Sequence, residues 1–464
     1  MSTREAQAPS SPIEHLSDLA GWIAAGEKPR PAWKIGTEHE KFVFETGTLA
    51  PIPYAGPRGI RALMETLISR FGWEPILEGD NLIALRRPSA EHPGSIGGSI
   101  SLEPGGQFEL SGAPLADLHA TDSETREHLR QVLAVGETQG IGFLGVGFSP
   151  KWALAEVPHM PKQRYGVMTR YMPQVGTRGL DMMYRTATIQ VNLDFASEAD
   201  MVQKLRVSLA LQPVATALFA ASPFTEGRPN GFLSMRSEVW RDTDKRRTGM
   251  LPFAFEPGMG YQRYVDYALD VPMYFVYRDG RYIDAAGASF RAFMAGKLPE
   301  LPGQRPTLDD WSDHLTTLFP EVRLKRFLEM RGADSGNGPR ITALSAFWTG
   351  LLYDHSALDA AWELVKSWST EEREALRNGV PKGGLATPFR GGSLLEIARQ
   401  AIAISATGLK ARARLDAKGR DESIYLAPLE RIAASGKSPA DDLLALYHGR
   451  WQGRTDPIFA EFAY

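Results

Sequence analysis

The sequence predicts an α+β fold in which helices pack on one face of an antiparallel sheet. Strand-like and helical patterns are interleaved over the first two thirds of the chain without a strict βαβ alternation, and the last third is mainly helical. The 464 residues, 43% of them hydrophobic, suffice for a large buried core. Because no repeat or long low-complexity linker divides the chain, we expect one domain over residues 1–464, with a flexible tail at 1–11 and a mainly helical layer at 341–464.

The individual elements follow from local periodicity and from capping and turn residues. Leu16, Leu19, Trp22 and Ile23 recur at helical spacing and predict a first helix. The next predicted elements are a strand at 34–45, a helix at 59–71, a hairpin at 74–87, paired strands at 99–110, a helix at 118–135, strands at 141–148 and 186–195, a helix at 197–221 with Ser197 at its N-cap, and a strand at 322–331. Helices at 341–367, 393–413, 422–435 and 441–451 complete the chain.

Composition argues against several classes of partner and site. The 52 basic and 55 acidic residues nearly cancel without a run of like charges, so we expect no nucleic-acid surface. The chain has no cysteine, so any metal must be bound by oxygen or histidine ligands. No apolar stretch approaches the ~20 residues that cross a bilayer, and Met1–Ala6 begins no apolar signal core. We therefore expect a cytoplasmic protein without membrane contact.

Two carboxylates share one face of the first predicted strand. Glu38 and Glu40, in Gly36-Thr37-Glu38-His39-Glu40, are two residues apart and therefore point to the same side. Their repulsion costs stability unless water, a basic neighbour or a divalent cation balances it, so the pair weakly indicates a metal site. A solvated strand face is the alternative, and it is the commoner case for an isolated pair.

Two further segments place polar side chains on one strand face. Glu103 and Glu109 flank a Pro-Gly-Gly turn, and Gln190 belongs to a strictly alternating strand whose other face is apolar. These faces would either meet bulk water or together line a hydrated cleft with oxygen ligands.

The predicted strand at 322–331 carries a mixed face with Arg323, Lys325, Glu329 and Arg331. A salt-bridged surface strand would explain it, but arginine also suits phosphate oxygens while a glutamate holds a bridging metal. Several acidic faces and one mixed face in a single sheet are harder to explain separately, so we favour a common site.

Arg164 and Arg236 stand in segments punctuated by proline and glycine, which we interpret as loops. A well-held arginine can bind an α-carboxylate through two parallel hydrogen bonds, whereas the alternative is an ordinary surface arginine. The sequence contains no Walker loop, no Gly-x-Ser-x-Gly elbow and no Rossmann fingerprint between a strand and a helix, so a nucleotide would be held in another way.

Six long segments carry a family resemblance: Gly36–Phe42, Leu102–Gly112, Gly179–Met183, Phe219–Arg236, Tyr264–Phe275 and Glu329–Asp334. They resemble the glutamate-cysteine ligases of the plant and proteobacterial class, and the resemblance covers most of the chain. It implies a saddle-shaped, mostly antiparallel sheet resembling the glutamine synthetase catalytic core. Helices would pack on the convex face of this sheet, and ATP, magnesium and glutamate would bind on its concave face.

The resemblance also implies roles for individual residues. The magnesium ligands that it implies are Glu38, Glu40, Glu103, Glu109, Gln190 and Glu329. Gln190 stands where more distant relatives have a histidine ligand. Arg331 is implied as the catalytic cation on the transferred phosphoryl group and, with Lys325, as an ATP-binding residue. The implied substrate-binding residues are Arg164, Arg236, Trp240 and Tyr274.

The implied reaction joins the γ-carboxylate of L-glutamate to the amine of L-cysteine, with ATP as co-substrate, Mg²⁺ as cofactor and a γ-glutamyl phosphate intermediate. Its product, γ-glutamylcysteine, is the first intermediate of glutathione biosynthesis. Two alternatives stay open: a ligase of another pathway or amine acceptor, such as an ergothioneine route, and an inactive binding relative.

We expect a monomer or weak homodimer. The cysteine pairs that act as redox switches in the plant enzymes are absent, and the lack of a recognisable transit peptide favours a bacterial cytosolic enzyme.

Overall fold

A computed structural model describes residues 12–88 and 96–464, so the predicted flexible tail at 1–11 lies outside the described residues. The strands of the described residues are β1 (Ile35–Glu45), β2 (Glu74–Glu78), β3 (Asn81–Pro88), β4 (Ile96–Leu102), β5 (Phe108–Ser111), β6 (Ile141–Leu144), β7 (Thr188–Leu193), β8 (Phe224–Thr225), β9 (Arg228–Pro229), β10 (Thr248–Gly249), β11 (Phe275–Arg278), β12 (Arg281–Asp284), β13 (Phe319–Pro320), β14 (Val322–Leu324), β15 (Leu328–Asp334), β16 (Pro388–Phe389) and β17 (Gly392–Ser393).

The α-helices of the same residues are α1 (Leu16–Ala24), α2 (Ile60–Phe71), α3 (Leu118–Gln139), α4 (Gln163–Tyr171), α5 (Gly179–Arg185), α6 (Glu198–Phe219), α7 (Met235–Trp240), α8 (Tyr261–Asp270), α9 (Phe290–Met294), α10 (Leu308–Leu315), α11 (Gly338–Leu352), α12 (His355–Val365), α13 (Thr370–Gly383), α14 (Leu394–Arg412), α15 (Ala427–Ser435), α16 (Pro439–His448) and α17 (Ile458–Glu461). Ser197 caps α6 as predicted, because its Oγ accepts a hydrogen bond from the backbone N–H of Asp200 at 3.3 Å.

One sheet organises the described part of the chain. Its strands lie in the order β14-β15-β7-β1-β5-β4-β3-β2, and β6 pairs with the C-terminal half of β1. All of these neighbours are antiparallel. The predicted α+β class, with a mostly antiparallel sheet, is therefore confirmed.

The predicted single strand at 322–331 is instead a hairpin. β14 and β15 pair antiparallel around a turn at residues 325–327, which places Arg323 directly opposite Glu329. Alternation along one strand is therefore the wrong reason for grouping these charges. They nevertheless share a face, because directly opposed residues of a hairpin point to the same side of the sheet.

The helix-facing side of the sheet is largely apolar. Ile189, Val191 and Leu193 of β7 are fully buried, and both α11 and β1 lie against this strand. α6 packs on β15, where the Thr216 hydroxyl donates to the carbonyl of Gly332 at 2.9 Å. Burying these side chains on one face leaves the opposite, polar face of the same strands for a site.

β1 departs from this pattern, because His39 and Lys41 occupy helix-facing positions and are fully buried. Lys41 Nζ lies 2.9 Å from His39 Nδ1, and burial lowers the pKa of Lys41 to about 7. His39 therefore points away from Glu38 and Glu40, because successive side chains of a strand alternate between its faces.

The two segments that we interpreted as loops contain short helices. Arg164 lies in the first turn of α4, and Arg236 lies in the first turn of α7, whose N-cap is Ser234. Pro161 and Gly231 stand before these helices and not inside them, so the proline and glycine mark where each helix is preceded by a turn. The helices hold both arginines more rigidly than loops would.

The C-terminal third of the chain is helical, as predicted, but the helices divide differently. The segment predicted as one helix at 341–367 breaks at Tyr353, and Asp354 caps α12 by accepting from the backbone N–H of Ala357 at 3.1 Å. α13 was not predicted. In the described residues, no helix combines the length and apolarity needed to cross a membrane.

Candidate active site

The central position of β1 aligns its acidic pair with both neighbouring strands. Glu38 lies opposite Ser111 of β5 on one side and opposite Gln190 of β7 on the other. Glu40 lies directly opposite Glu109 of β5. Like charges in directly opposed positions destabilise a sheet unless something balances them.

These side chains open into one cleft above the polar face of the sheet. Among the predicted site residues, those that line the cleft are Glu38, Glu40, Glu103, Glu109, Gln190, Arg164, Arg236, Trp240 and Arg331. Glu329, Lys325 and Tyr274 do not line it. The structure thus brings together nine residues that are widely separated in sequence.

The β4–β5 turn brings Glu103 to the edge of this cleft. Gly106 has a φ of +82°, a conformation that glycine adopts without a steric penalty, and the backbone N–H of Glu103 donates to the carbonyl of Gln107 at 3.0 Å. Glu103 and Glu109 therefore stand on the two sides of one tight turn.

The four carboxylates of the cleft have no cation within ion-pair distance among the described residues. Three of them accept one hydrogen bond each: Glu38 from the Asn192 amide at 2.8 Å, Glu40 from the backbone N–H of Thr188 at 3.0 Å, and Glu109 from the Ser101 hydroxyl at 2.6 Å. This leaves four carboxylates close together on the sheet without a balancing cation among the described residues.

The protonation of these carboxylates reflects their crowding. Burial, together with the charges of Glu38 and Glu103, raises the pKa of Glu109 to about 8. Burial, Glu103 and Glu109 together hold the pKa of Glu40 well above its usual value. Burial also raises the pKa of Glu103, although Lys162 and Arg164 oppose this rise. A cation bound in the cleft would favour the ionised form of all three.

An all-oxygen cluster of this kind fits the preference of Mg²⁺ for oxygen ligands. No three of the described histidine, aspartate and glutamate side chains converge tightly enough to enclose an ion by themselves. Mg²⁺ is commonly bound by one or two carboxylates together with substrate phosphates and water, so it does not require such an enclosure. Glu38, Glu40, Glu103 and Glu109 are the side chains that would hold it.

Glu329 lies beneath the cleft in a cage of three cations. It contacts Arg323 at 2.7 Å and Lys325 at 3.0 Å, and it also pairs with Arg331. Burial alone would raise the pKa of Glu329, but these three charges hold it well below its usual value. The cage fixes Arg323 and Arg331 at the wall of the cleft, and the implied roles of Glu329 on magnesium and Lys325 on ATP stay predictions.

Two partly buried hydrogen bonds orient Arg331 and Arg236 at this end of the cleft. Arg331 Nη1 donates to the side-chain oxygen of Gln190 at 2.5 Å, so that oxygen already has one partner. Arg236 Nη2 donates to the backbone carbonyl of Arg331 at 2.8 Å. The implied metal ligation by Gln190 stays a prediction.

The remaining predicted substrate residues differ in their placement. Arg164 is buried with its guanidinium 5.1 Å from the ring of Phe275. Trp240 lines the cleft, and its buried indole N–H has no hydrogen-bond partner in the described chain. Tyr274 is buried outside the cleft lining, with its ring 3.8 Å from the Arg247 guanidinium and its hydroxyl 3.6 Å from the sulfur of Met172.

Several cleft residues had no role predicted from the sequence. Met182 and Met183, from α5, line the cleft, as do Thr186 and Thr188. The methionines belong to Gly179–Met183, which carries the family resemblance, and Thr188 shares the polar face of β7 with Gln190. Alternation along β7 was the available signal for Thr188.

Comparison with known protein families agrees with this site. The family model described as "Glutamate-cysteine ligase family 2 (GCS2)" matches residues 34–461. Three similar relatives are chloroplastic glutamate-cysteine ligases from Nicotiana tabacum, Oryza sativa subsp. japonica and Arabidopsis thaliana. Each is 54% identical to this chain over 462 residues, and each alignment covers 100% of this chain. The alignments cover 85%, 90% and 85% of the three relatives, in that order.

The names of these relatives correct one sequence-based prediction. All three are chloroplastic, so the prediction of a cytoplasmic location is wrong on this comparison. That prediction rested on the absence of an apolar signal core, of an apolar stretch long enough to cross a bilayer and of a recognisable transit peptide.

A solved structure shares the fold. The glutamate-cysteine ligase of Francisella tularensis, crystallised in complex with AMP, aligns with a TM-score of 0.53 at 12% sequence identity. The alignment covers 92% of this chain and 86% of that one. At this identity the likeness supports the fold, and the roles of individual residues rest on the geometry of the cleft.

Proposed function

The chain belongs to the glutamate-cysteine ligase family, and on that premise we propose that it makes γ-glutamylcysteine from L-glutamate and L-cysteine at the cleft on β1, β5 and β7. The γ-phosphoryl group of ATP would pass to the γ-carboxylate of glutamate, giving a γ-glutamyl phosphate and releasing ADP, because a free carboxylate is too poor an electrophile for an amine. The cysteine amine then attacks this acyl phosphate, and inorganic phosphate leaves.

The observation that carries the proposal is the meeting of two opposite charge groups in one cleft. Glu38, Glu40, Glu103 and Glu109 supply oxygen ligands without a cationic partner among the described residues, and Arg164, Arg236 and Arg331 supply cations nearby. Phosphoryl transfer depends mainly on positioning and electrostatic stabilisation, which such an arrangement suits. A solvated strand face would not need buried arginines.

Each group has a distinct part in the proposed reaction. Mg²⁺ held by the four carboxylates would neutralise the phosphate charge of ATP. Arg331, fixed by Gln190 and Glu329, faces the phosphoryl group in transfer and stabilises its charge. Arg164 and Arg236 hold the carboxylates of glutamate, and their burial strengthens these contacts by excluding water.

The test measures phosphate release by the purified full-length protein in the presence of ATP and MgCl₂. Release that requires both glutamate and cysteine, with γ-glutamylcysteine identified by mass spectrometry, is the expected result. Reactions without Mg²⁺, without glutamate and without cysteine are the controls. Equal release when cysteine is replaced by other amines would assign another acceptor, and no substrate-dependent release would overturn the proposal.

A further inference from the structure

A fully buried carboxylate at the end of β15 connects this strand to the helix that carries Arg236. Asp334 Oδ2 accepts from the backbone N–H of Ala221 at 2.8 Å and from the Ser222 hydroxyl at 2.6 Å. Its Oδ1 accepts from the Ser234 hydroxyl at 2.7 Å. Asp334 does not line the cleft, and the proposed function gives it no role.

The two serines pass this connection to the first turn of α7. The Ser222 oxygen accepts from the backbone N–H of Arg236 at 3.3 Å, and the Ser234 oxygen, at the N-cap, accepts from that of Ser237 at 3.1 Å. Burial raises the pKa of Asp334, and the hydrogen bonds from Ser222 and Ala221 and the charge of Arg236 oppose this rise. In its ionised form the carboxylate can only accept, so each hydroxyl proton points at Asp334 and each lone pair is left for a helix N–H. The carboxylate therefore sets the direction of every hydrogen bond in this network.

The same carboxylate offsets the charge of Arg236 without forming an ion pair with its guanidinium. Arg236 is only 3% exposed and has no ion pair among the described residues, and its Nε has no hydrogen-bond partner there. Burial lowers the pKa of Arg236, and the charge of Asp334 opposes this most strongly. The guanidinium thus stays charged, and the donors that do not contact the carbonyl of Arg331 remain available to a ligand carboxylate.

The packing around Asp334 admits no larger neighbour. A Cβ added to Gly147 would lie 2.2 Å from the carboxylate carbon, which is closer than any real contact. The next residue, Ser335, donates its hydroxyl to the backbone carbonyl of Glu40 at 2.6 Å. The end of β15 therefore joins the helix of Arg236 to the strand of the acidic pair.

We propose that Asp334 is a positioning residue that sets Arg236 for binding a substrate carboxylate. The role rests on the proposed function, in which Arg236 binds glutamate. Asp334 acts through Ser222 and Ser234, which orient α7. It also acts through its negative charge, which offsets the positive charge of the buried Arg236. Asp334 lies on the same strand, β15, as Arg331, and its hydrogen bonds hold the helix of Arg236. It therefore fixes the position of Arg236 relative to Arg331, whose backbone carbonyl accepts a hydrogen bond from Arg236.

The test compares Asp334→Asn with the wild type. The amide must keep its oxygen at the Oδ2 position, since the backbone N–H of Ala221 can only donate, so its NH₂ takes the place of Oδ1 and the hydroxyl of Ser234 loses its acceptor. We expect the KM for glutamate to rise at least about tenfold with kcat changed less than about threefold, as loss of uniform binding predicts. The KM for ATP should stay near that of the wild type.

Two further variants keep the inference testable if Asp334→Asn is unstable. Ser234→Ala retains the charge and should raise the KM for glutamate by a smaller factor, about threefold. Glu422→Gln is the matched control, because Glu422 is fully buried and accepts from the N–H of Leu118 at 2.8 Å, in the C-terminal helical layer. It should lower thermal stability without changing the KM for glutamate.

A double mutant decides whether the effect passes through Arg236. If it does, Asp334→Asn adds no further increase in the KM for glutamate in the Arg236→Lys background. An equal increase in both backgrounds, or an unchanged KM in a folded Asp334→Asn enzyme, would overturn the inference. Calorimetric titration of glutamate into the wild type and Asp334→Asn provides the same comparison when no turnover is seen, so failure of the proposed function is recognised separately.

Discussion

Arg331 and Gln190 form a short hydrogen bond between adjacent strands, in which Arg331 Nη1 donates to Gln190 Oε1 at 2.5 Å. The pairing of β15 with β7 is irregular between Met330 and Ala333, so Arg331 lies in a local disruption of the ladder. Such irregularities redirect side chains and are frequent next to active sites. Here the redirected guanidinium reaches the cleft wall and is held there by an amide.

Replacing Gln190 with alanine should lower turnover by loosening Arg331. We expect kcat to fall by roughly tenfold or more, since loss of an orienting partner typically costs 10- to 100-fold at comparable sites. The concentration of Mg²⁺ that gives half-maximal rate should stay unchanged. Steady-state kinetics over a range of MgCl₂ measure both quantities, and a large increase in that concentration with normal kcat would assign Gln190 to the metal instead.

Arg331→Ala should have a larger effect than any change around it. Because the proposed transition state spreads negative charge over the transferred phosphoryl group, we expect turnover to fall on the order of 10²-fold or more. Arg326→Ala is the matched control, since Arg326 is an exposed arginine on the same hairpin and stacks on Trp22. Near-normal turnover of a folded Arg331→Ala enzyme would contradict the assigned role.

Glu103→Gln should separate stability from metal dependence. Glu103 has no ion pair among the described residues, and Glu38 adds to the effect of burial on its pKa, so the neutral amide should raise the melting temperature without Mg²⁺. The half-saturating Mg²⁺ concentration should rise at least about tenfold. Thermal unfolding and kinetics measure the two effects. Glu65→Gln, on the exposed side of α2, should change neither, and a lower metal-free melting temperature for Glu103→Gln would oppose this interpretation.

Glu124, which lies outside the active site, should make the stability of the protein depend on pH. Burial raises the pKa of Glu124 from 4.5 to about 7, although the N–H of Ala113 donates to it at 2.9 Å. Between these two pH values the folded protein binds more protons than the unfolded chain. The contribution of Glu124 to the free energy of unfolding is therefore full below pH 4.5 and is lost as pH rises through about 7.

Glu124→Gln should therefore melt at a higher temperature than the wild type at pH 8, and this difference should shrink towards pH 5. Thermal unfolding at several pH values between these limits measures it. Glu65→Gln again serves as the control and should show a difference that does not vary with pH. A Glu124→Gln variant that is less stable than the wild type at pH 8 would show that the ionised carboxylate is favourable where it is.

The sequence predicted strands well where one face is apolar and the other polar. β1 and β7 were found within a few residues of their ends, and Glu38, Glu40 and Gln190 were correctly placed on one face. The short segments were less well predicted. α4 was interpreted as a loop, and the β14–β15 hairpin as one strand, because three turn residues with charged side chains continue an alternating pattern.

Burial could not be predicted for the charged residues. Lys41 and Glu329 look like ordinary surface residues in sequence, yet both are fully buried, and only the second is surrounded by opposite charges. Tyr274 belongs to a resembling segment but packs against Arg247, away from the cleft lining. A sequence motif states which residues recur in a family and does not state which of them face solvent.

We could predict the class of fold, the polar and apolar faces of the central strands and the family from the sequence alone, because hydrophobic periodicity and long motifs are local properties of the chain. The tertiary structure decided which charges meet. Glu40 and Glu109 are opposed through strand register, and Asp334 reaches Ser222 and Ser234 through the packing of β15 against the segment before α7. These contacts join residues that are 69 to more than 100 positions apart, a distance over which no local pattern specifies geometry.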